Sequence, residues 1–220
     1  MNISMILSGG SGSRFGSDTP KQYNMLNGKE VISYSIDALK KSRKSDAVIV
    51  VCDKAYSGYL STEYDVVCVE GANSRNGSLR RGLEYIKSNY PDCEKIFITE
   101  AARPFLTAEI ADAYFDYLDE YDGVITTQHI TDSLGKFGQK VTMRDEYYLV
   151  QAPEAFRFAP LYEGFDPESK ITATSQQLPE GCTVMNYFDF KNNMKITYPE
   201  DLVIAEQIML MRNGEDKSEV

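Results

Sequence analysis

Tryptophan is absent from this 220-residue chain, histidine occurs once, and the four cysteines form no C-x-x-C pair. The single histidine, His129, and such scattered cysteines cannot assemble a zinc cluster of the usual kind. No apolar run approaches the roughly 20 residues that a membrane helix needs, and no basic, cleavable leader precedes the first apolar segment. We therefore expect a cytoplasmic protein that has no membrane partner and keeps its cysteines reduced.

Basic residues are also in short supply. Asp and Glu outnumber Lys and Arg by 33 to 23, which gives a net charge of −10. Binding of nucleic acid requires clustered cations that neutralise phosphates, so this balance argues against a nucleic-acid partner. Any anionic ligand must therefore enter a local basic site. The length and the hydrophobic content of 42% suffice for one domain, and we expect residues 1–220 to form it.

Glycine is concentrated directly after the first apolar run, in the segment 7–21, LSGGSGSRFGSDTPK. Its glycines let backbone N–H groups approach an anion closely, and Arg14 and Lys21 supply charge that amides cannot. A dinucleotide-binding Gly-x-Gly-x-x-Gly would need glycine at Phe15, and a P-loop would need Gly-Lys-Ser/Thr to close the turn. Neither pattern is present, so the segment predicts a site for a nucleoside triphosphate.

Short apolar runs alternate with amphipathic segments along most of the chain. We predict strands at 2–7, 47–52, 65–69, 95–99, 123–127, 182–187 and 193–197, and helices near 30–42, 77–89, 107–121 and 199–212. This rhythm indicates an α/β fold, a Rossmann-like and mostly parallel sheet with helices on both faces. Segment 128–158 alternates polar and apolar residues around a turn signal at 135–138, which predicts a projecting β-hairpin arm.

Three further segments place polar groups at predicted strand ends: 71–78, GANSRNGS; 99–104, TEAARP; and 193–197, NMKIT. With the glycine segment and PKQY at 20–23, they resemble a set of ordered motifs: G-x-G-x-R, then PKQ with Tyr or Phe, G-x-x-R-x-x-S, D-A-x-R-P and N-I-K-x-T-x-P-x-D-L. These motifs belong to the pyrimidine nucleotidyltransferases that make CDP-linked polyols, the 2-C-methyl-D-erythritol 4-phosphate and ribitol-5-phosphate cytidylyltransferases. The resemblance runs nearly from end to end.

The resemblance implies a cytidylyltransferase that uses CTP and Mg²⁺ and joins CMP to a polyol or sugar phosphate, with release of pyrophosphate. The residues implied to be catalytic are Arg14, Lys21 and Lys195. Those implied to bind the nucleotide are Ser8, Gly9, Gly10, Ser11, Gly12, Ala72, Asn73, Arg75 and Ser78. Those implied to bind the acceptor are Glu100, Arg103, Arg144 and Thr172, with Glu100 also a metal contact. The arm would insert into a partner to form a homodimer and lend Arg144 to the partner's site.

Three departures from the motifs fall on the acceptor side. Glu100 stands where the family has aspartate, Ala152 where it has threonine, and Ala173 where it has aspartate. A polar binding site discriminates strongly between substrates that differ in their hydrogen-bonding groups. These three changes therefore predict an acceptor different from the one that the family motif binds. Segments 26–29 and 103–107 are more similar to the ribitol-phosphate branch, and we therefore expect an acceptor like ribitol 5-phosphate.

Three other interpretations stay open. The acceptor could be 2-C-methyl-D-erythritol 4-phosphate, as in isoprenoid synthesis. The glycine turn with its Arg and Lys also resembles the molybdopterin guanylyltransferases, which lack the Ala-Ala-Arg-Pro and arm patterns. Finally, Ala152 and Ala173 leave room for a nucleotide-binding module without catalysis.

Overall fold

The structure is a computed structural model that describes residues 1–10, 15–16 and 19–215, with side chains described as far as residue 212. Three residues of the predicted site, Ser11, Gly12 and Arg14, lie outside the described residues. Among the helices of the described part, none is long and apolar enough to cross a membrane.

The centre of the fold is a seven-stranded sheet. Its strands are β1 (Asn2–Ser8), β4 (Ala47–Cys52), β5 (Val67–Glu70), β6 (Lys95–Glu100), β7 (Gly123–His129), β8 (Tyr148–Arg157) and β9 (Val184–Tyr187), while β2 (Met25–Leu26) and β3 (Lys29–Glu30) form a separate hairpin. The order of the strands in the sheet is β5-β4-β1-β6-β8-β7-β9. Neighbouring strands run parallel except at β8, which is antiparallel to both β6 and β7. The predicted mostly parallel sheet is confirmed.

Helices cover both faces of this sheet. They are α1 (Val31–Lys41), α2 (Lys54–Tyr64), α3 (Arg75–Asn89), α4 (Ala108–Tyr117), α5 (Phe158–Gly164) and α6 (Glu200–Glu215). Because successive strand residues point to opposite faces, Ile6 of β1 packs into one hydrophobic cluster with α1, α4 and α6, while Met5 packs into another with α3 and α5. The buried sheet fixes where the polar ends of the strands lie.

The structure lacks one predicted strand and contains two helices, α2 and α5, that were not predicted. Residues 193–197, which are described throughout, form no strand, because no neighbouring strand pairs with them. Helix α2 was not predicted, and the reason is its pattern: Leu60 is its one buried residue, so the helix has no apolar stripe. It begins where the side chain of Asp53 accepts a hydrogen bond from Ala55 N.

The predicted hairpin corresponds to β7 and β8, which pair antiparallel as far as His129 and Tyr148. Residues 154–157 of β8 pair with β6 inside the central sheet, so the projecting part is shorter than 128–158. Between the two strands, residues 130–147 are described throughout and contain no strand, and the turn signal coincides with a turn at Gly138, where φ is +78°. We call residues 130–147 the arm.

Candidate functional site

A cleft of about 570 Å³ opens at the carboxyl ends of β1, β4 and β6 and beside the loop after β5. Its walls are residues 7–10, the Lys21–Gln22 turn, Asp53, residues 72–75 with Ser78, residues 100–102, Lys195 and Thr197. Ligands of open α/β sheets bind at this edge, so the position agrees with the prediction from the glycine segment.

Most of the predicted site residues meet in this cleft. They are Ser8, Gly9, Gly10, Lys21, Ala72, Asn73, Arg75, Ser78, Glu100 and Lys195. Arg103 lies beneath the cleft, where its side chain is buried against Glu100. Despite a chain net charge of −10, the described lining contains more cations than carboxylates, namely Lys21, Arg75 and Lys195 against Asp53 and Glu100. The described lining therefore carries an excess of one positive charge, and binding of an anion there stays a prediction.

Two predicted acceptor residues lie elsewhere. Thr172 is exposed on the loop after α5 and is not part of the cleft lining of its own chain. Arg144 lies on the arm, where its guanidinium donates to Thr131 O at 3.0 Å and pairs with Asp145 at 3.1 Å. Contact of Arg144 with a partner's site therefore stays a prediction.

The turn after β1 is shaped by Gln22, which belongs to the PKQY motif but was not among the predicted site residues. Gln22 is 3% exposed, and its Nε2 donates to Ser8 O at 2.8 Å and to Gly10 O at 3.3 Å. The hydroxyls of Ser8 and Tyr23 are hydrogen-bonded at 3.1 Å, and burial raises the pKa of Tyr23 well above its usual value. These bonds hold the start of the glycine segment open toward the cleft.

The loop between β5 and α3 is held by two serines. Ala72 N donates to Ser78 Oγ at 2.9 Å, and the same hydroxyl donates to Ala72 O at 3.1 Å. Ser74 caps α3 by accepting from Gly77 N at 2.9 Å. A Cβ at Gly71 would come within 3.1 Å of Ser78 Oγ, so glycine allows this close approach. The loop presents Ala72 and Asn73 to the cleft.

Charged side chains form the other wall. Glu100 Oε1 accepts from Lys195 Nζ at 2.8 Å, and Glu100 Oε2 accepts from Arg103 Nε at 3.0 Å. Burial of the Glu100 carboxyl by itself raises its pKa, but the charges of Lys195 and Arg103, the hydrogen bond from Lys195 and the charge of Arg75 outweigh it and lower the pKa to about 2. Glu100 is therefore ionised at neutral pH and holds two cations.

A second buried carboxylate supports this wall. Glu154 of β8 is 2% exposed and accepts from Thr174 N at 3.3 Å and from Ser175 N at 3.1 Å. The Arg75 guanidinium lies 3.6 Å from Glu154 and donates to Thr174 Oγ1 at 3.3 Å. Glu154 thus joins the start of α3 to the loop that carries Thr172.

Glu154 and Asn193 were missed by sequence reasoning. Glu154 lies within the predicted arm, and its only sequence signal is a charge in the otherwise apolar stretch of β8. Asn193 belongs to a recognised motif, yet nothing in its spacing indicates that its side chain donates to Gln151 and Ala152, about 40 residues earlier in the chain. Such long-range bonds leave no local pattern.

The few carboxylates of the cleft suit a cation that is held mainly by substrate phosphates and water. Within the described part of the chain, no three His, Cys, Asp or Glu residues cluster as a metal site. Mg²⁺ is usually bound through one or two carboxylates together with substrate phosphates and waters, and Glu100 supplies a carboxylate of this kind.

Comparison with known proteins gives a consistent result. The family model described as IspD, 2-C-methyl-D-erythritol 4-phosphate cytidylyltransferase, matches residues 3–211. A curated relative of that name from Clostridium kluyveri is 30% identical over 229 residues, which cover 94% of this chain and 96% of the relative. One from Caldicellulosiruptor bescii is 28% identical over 217 residues, with coverages of 93% and 96%.

Solved structures show the same fold. The 4-diphosphocytidyl-2C-methyl-D-erythritol synthase from Anaerococcus prevotii has a TM-score of 0.81 at 22% identity, covering 95% of this chain and 96% of that chain. The bifunctional IspDF from Campylobacter jejuni has a TM-score of 0.79 at 22% identity, covering 92% of this chain and 53% of that chain.

Proposed function

The chain belongs to the 2-C-methyl-D-erythritol 4-phosphate cytidylyltransferase family and is a nucleotidyltransferase, and from this premise we propose that it transfers CMP from CTP to 2-C-methyl-D-erythritol 4-phosphate. The products are pyrophosphate and a CDP-linked methylerythritol. The observation that carries the proposal is the meeting of Lys21, Lys195 and Ser78 in one cleft at the carboxyl edge of the sheet.

The chemistry asks for positioning and charge neutralisation. An oxygen of the acceptor phosphate attacks the α-phosphorus of CTP, a new P–O bond forms, and the bond from the α-phosphorus to the bridging oxygen breaks as pyrophosphate leaves. A phosphate monoester is already nucleophilic at neutral pH, so no general base is required. Lys21 and Lys195 neutralise the phosphates, and Arg14 does so from the segment outside the described residues.

The nucleotide occupies the wall built from the turn after β1 and the loop before α3. Backbone groups of residues 8–10 and 72–73 and the hydroxyl of Ser78 suit the edge of a base, which needs directed donors and acceptors. Mg²⁺ would be held by Glu100 and the substrate phosphates, and when bound it would neutralise phosphate charge. Release of Lys195 from Glu100 toward the phosphates would accompany substrate binding.

The identity of the phosphate acceptor is the most specific part of the proposed reaction. Segments 26–29 and 103–107 predicted a ribitol 5-phosphate-like acceptor, but neither the family model nor the relatives named above support it. The names of those relatives favour 2-C-methyl-D-erythritol 4-phosphate instead. A guanylyltransferase and a module without catalysis lose their support for the same reason.

Two further expectations accompany the proposal. Phe137, Val141 and Met143 of the arm are largely exposed in the single chain, which supports burial of the arm in a homodimer. Such a dimer would bring Arg144 to the partner's cleft. We also propose that the protein works in the cytoplasm, where CTP is available.

The proposal is tested by measuring pyrophosphate release from CTP with 2-C-methyl-D-erythritol 4-phosphate, ribitol 5-phosphate and other polyol phosphates in the presence of Mg²⁺. GTP and UTP replace CTP in parallel reactions. We expect release with CTP and the methylerythritol phosphate. Pyrophosphate release with ribitol 5-phosphate alone would refute the proposed acceptor. Release with GTP alone would refute CTP as the nucleotide substrate. Lys191→Ala, which changes an exposed lysine outside the cleft, serves as the matched control for variants of Lys195.

A further inference from the structure

The segment that carries Lys195 has little backbone support. Residues 193–197 are described throughout and belong to no strand, so no ladder of hydrogen bonds fixes them. Within the described part of the chain, their backbone groups are hydrogen-bonded to other segments at three points: Ile196 N donates to Ala102 O at 2.8 Å, Thr197 N donates to the side chain of Asp201 at 2.7 Å, and Asn193 O accepts from the side chain of Arg103 at 2.8 Å. The position of the lysine must therefore depend on side-chain contacts.

Asn193 supplies contacts to the base of the arm. Its side chain is buried, and Nδ2 donates to Ala152 O at 2.7 Å and to Gln151 Oε1 at 2.9 Å. Gln151 Nε2 in turn donates to Gln128 Oε1 at 2.8 Å, which crosses from β8 to β7. Both Gln151 and Gln128 belong to the strand pair from which the arm projects.

Asn193 also contacts the charged wall of the cleft. Its backbone carbonyl accepts from Arg103 Nη1 at 2.8 Å, in a bond that is buried. Arg103 pairs with Glu100 at 3.0 Å, and Glu100 pairs with Lys195 at 2.8 Å. One continuous series of short hydrogen bonds therefore runs from the arm base through Asn193 to the Lys195 ammonium.

We propose that Asn193 is a positioning residue for the reaction: it ties the base of the arm to the Arg103–Glu100–Lys195 group and so sets where Lys195 meets the phosphates. The role rests on the proposed function, because it concerns the turnover of that reaction. Asn193 itself is not part of the cleft lining, and its side chain is hydrogen-bonded to β8. A displacement of about 1 Å in a catalytic group can lower a rate about 100-fold, so a distant anchor is sufficient to matter.

The test compares Asn193→Ala with Asn192→Gly. Asn192 is the matched control because it is exposed, has φ +56°, which glycine adopts freely, and has no side-chain hydrogen bond to the described residues. For Asn193→Ala we expect kcat to fall about 10- to 100-fold while the KM for CTP stays within about twofold. Asn192→Gly should match the wild type. An Asn193→Ala enzyme with the kcat of the control would overturn the proposal.

A second measurement needs no substrate. The rate at which an acetylating reagent modifies Lys195 is followed by mass spectrometry, with Lys191 as the internal reference. In Asn193→Ala we expect modification of Lys195 to rise about two- to fivefold, the effect of loosening one partly exposed ion pair. An unchanged ratio of Lys195 to Lys191 modification would overturn the proposal. If the wild type releases no pyrophosphate with any acceptor, the proposed function fails and this ratio alone decides the role of Asn193.

Gln151→Ala keeps the question answerable should Asn193→Ala not fold. It removes one of the two acceptors of Asn193 Nδ2 and leaves the bond to Ala152 O. We expect a kcat loss of about threefold, in proportion to one neutral hydrogen bond. Wild-type kcat together with an unchanged Lys195 modification rate would count against the proposal.

Discussion

The two walls of the cleft are built in different ways. One wall, called the nucleotide wall after its proposed ligand, consists of short runs of residues at two strand ends, 8–10 and 71–74 with Ser78, fixed by short neutral bonds such as the one from Ala72 N to Ser78 Oγ. The other wall, called the acceptor wall after its proposed ligand, consists of charged side chains from four separate parts of the chain: Arg75, the neighbouring Glu100 and Arg103, Glu154 and Lys195. A wall of local turns is robust, whereas a wall of interdependent charges is sensitive to the loss of any member.

The two kinds of contact also differ in the free energy that is lost when one partner is removed. A neutral hydrogen bond contributes about 0.5–1.5 kcal/mol, whereas removal of one partner from a buried ion pair costs about 3–5 kcal/mol. We therefore expect substitutions in the acceptor wall to have larger effects than substitutions in the nucleotide wall. The predictions below test that order, beginning with the largest effect.

Lys195→Ala should give the largest loss. It removes the ammonium that we propose neutralises the phosphates, and among the described residues it leaves Arg103 as the ion-pair partner of Glu100. By analogy with removal of one oxyanion donor, we expect kcat to fall about 10²- to 10³-fold, which corresponds to about 3–4 kcal/mol. Lys21→Ala should behave similarly. Pyrophosphate release at saturating substrates measures both, and near-normal turnover of the two variants would contradict the assigned chemistry.

Glu100→Gln should lower stability by about 3 kcal/mol at pH 7, because one pKa unit corresponds to about 1.4 kcal/mol and the pKa of Glu100 lies near 2 instead of 4.5. Since the folded pKa is depressed, this contribution is complete above pH 4.5 and is lost as the pH falls toward 2. Urea unfolding at pH 7, 4 and 3 measures it. Glu84→Gln, at an exposed pair with Arg80, is the control and should change stability by less than about 1 kcal/mol.

A difference between wild type and Glu100→Gln that does not shrink on acidification would show that Glu100 contributes through packing and not through charge. That outcome would also remove the ionic contrast between the two walls.

The same contrast explains how much could be predicted from sequence. The nucleotide wall follows from local patterns, since a strand that runs into glycines or into a capped helix places its own backbone at the sheet edge. Strand β4 was predicted with its observed bounds because Ala47–Cys52 is continuously apolar. By contrast, Met194 and Ile196 alternate with polar residues as in a strand, yet side-chain bonds of Asn193 hold that segment. Partners such as Glu154 and Arg75, 79 residues apart, give no periodic signal.

Glu154→Gln should have an intermediate effect. The amide removes the negative charge beside Arg75. It also weakens the hydrogen bonds that this side chain accepts from Thr174 N and Ser175 N, which loosens the loop that carries Thr172. We expect the KM for the acceptor to rise about 10-fold while the KM for CTP changes less than about twofold, consistent with a charged hydrogen bond worth about 1.5 kcal/mol. Glu163→Gln, at an exposed site on α5, is the matched control. Equal increases in both KM values would mean that Glu154 supports the whole cleft.

Ser78→Ala should have the smallest effect. The hydroxyl donates to Ala72 O and accepts from Ala72 N, both neutral partners, and the backbone bond from Gly71 N to Cys52 O at 2.8 Å remains to hold the loop. Loss of one such group predicts a rise in the KM for CTP of about 2- to 10-fold, with the KM for the acceptor and kcat within about twofold. Ser88→Ala removes an exposed hydroxyl that donates to Glu84 O near the other end of α3, and it should leave both KM values unchanged. Should Ser78→Ala instead lower kcat as far as Lys195→Ala does, the nucleotide wall would be as interdependent as the acceptor wall, because a single neutral hydroxyl can have so large an effect only if it positions the α-phosphorus itself.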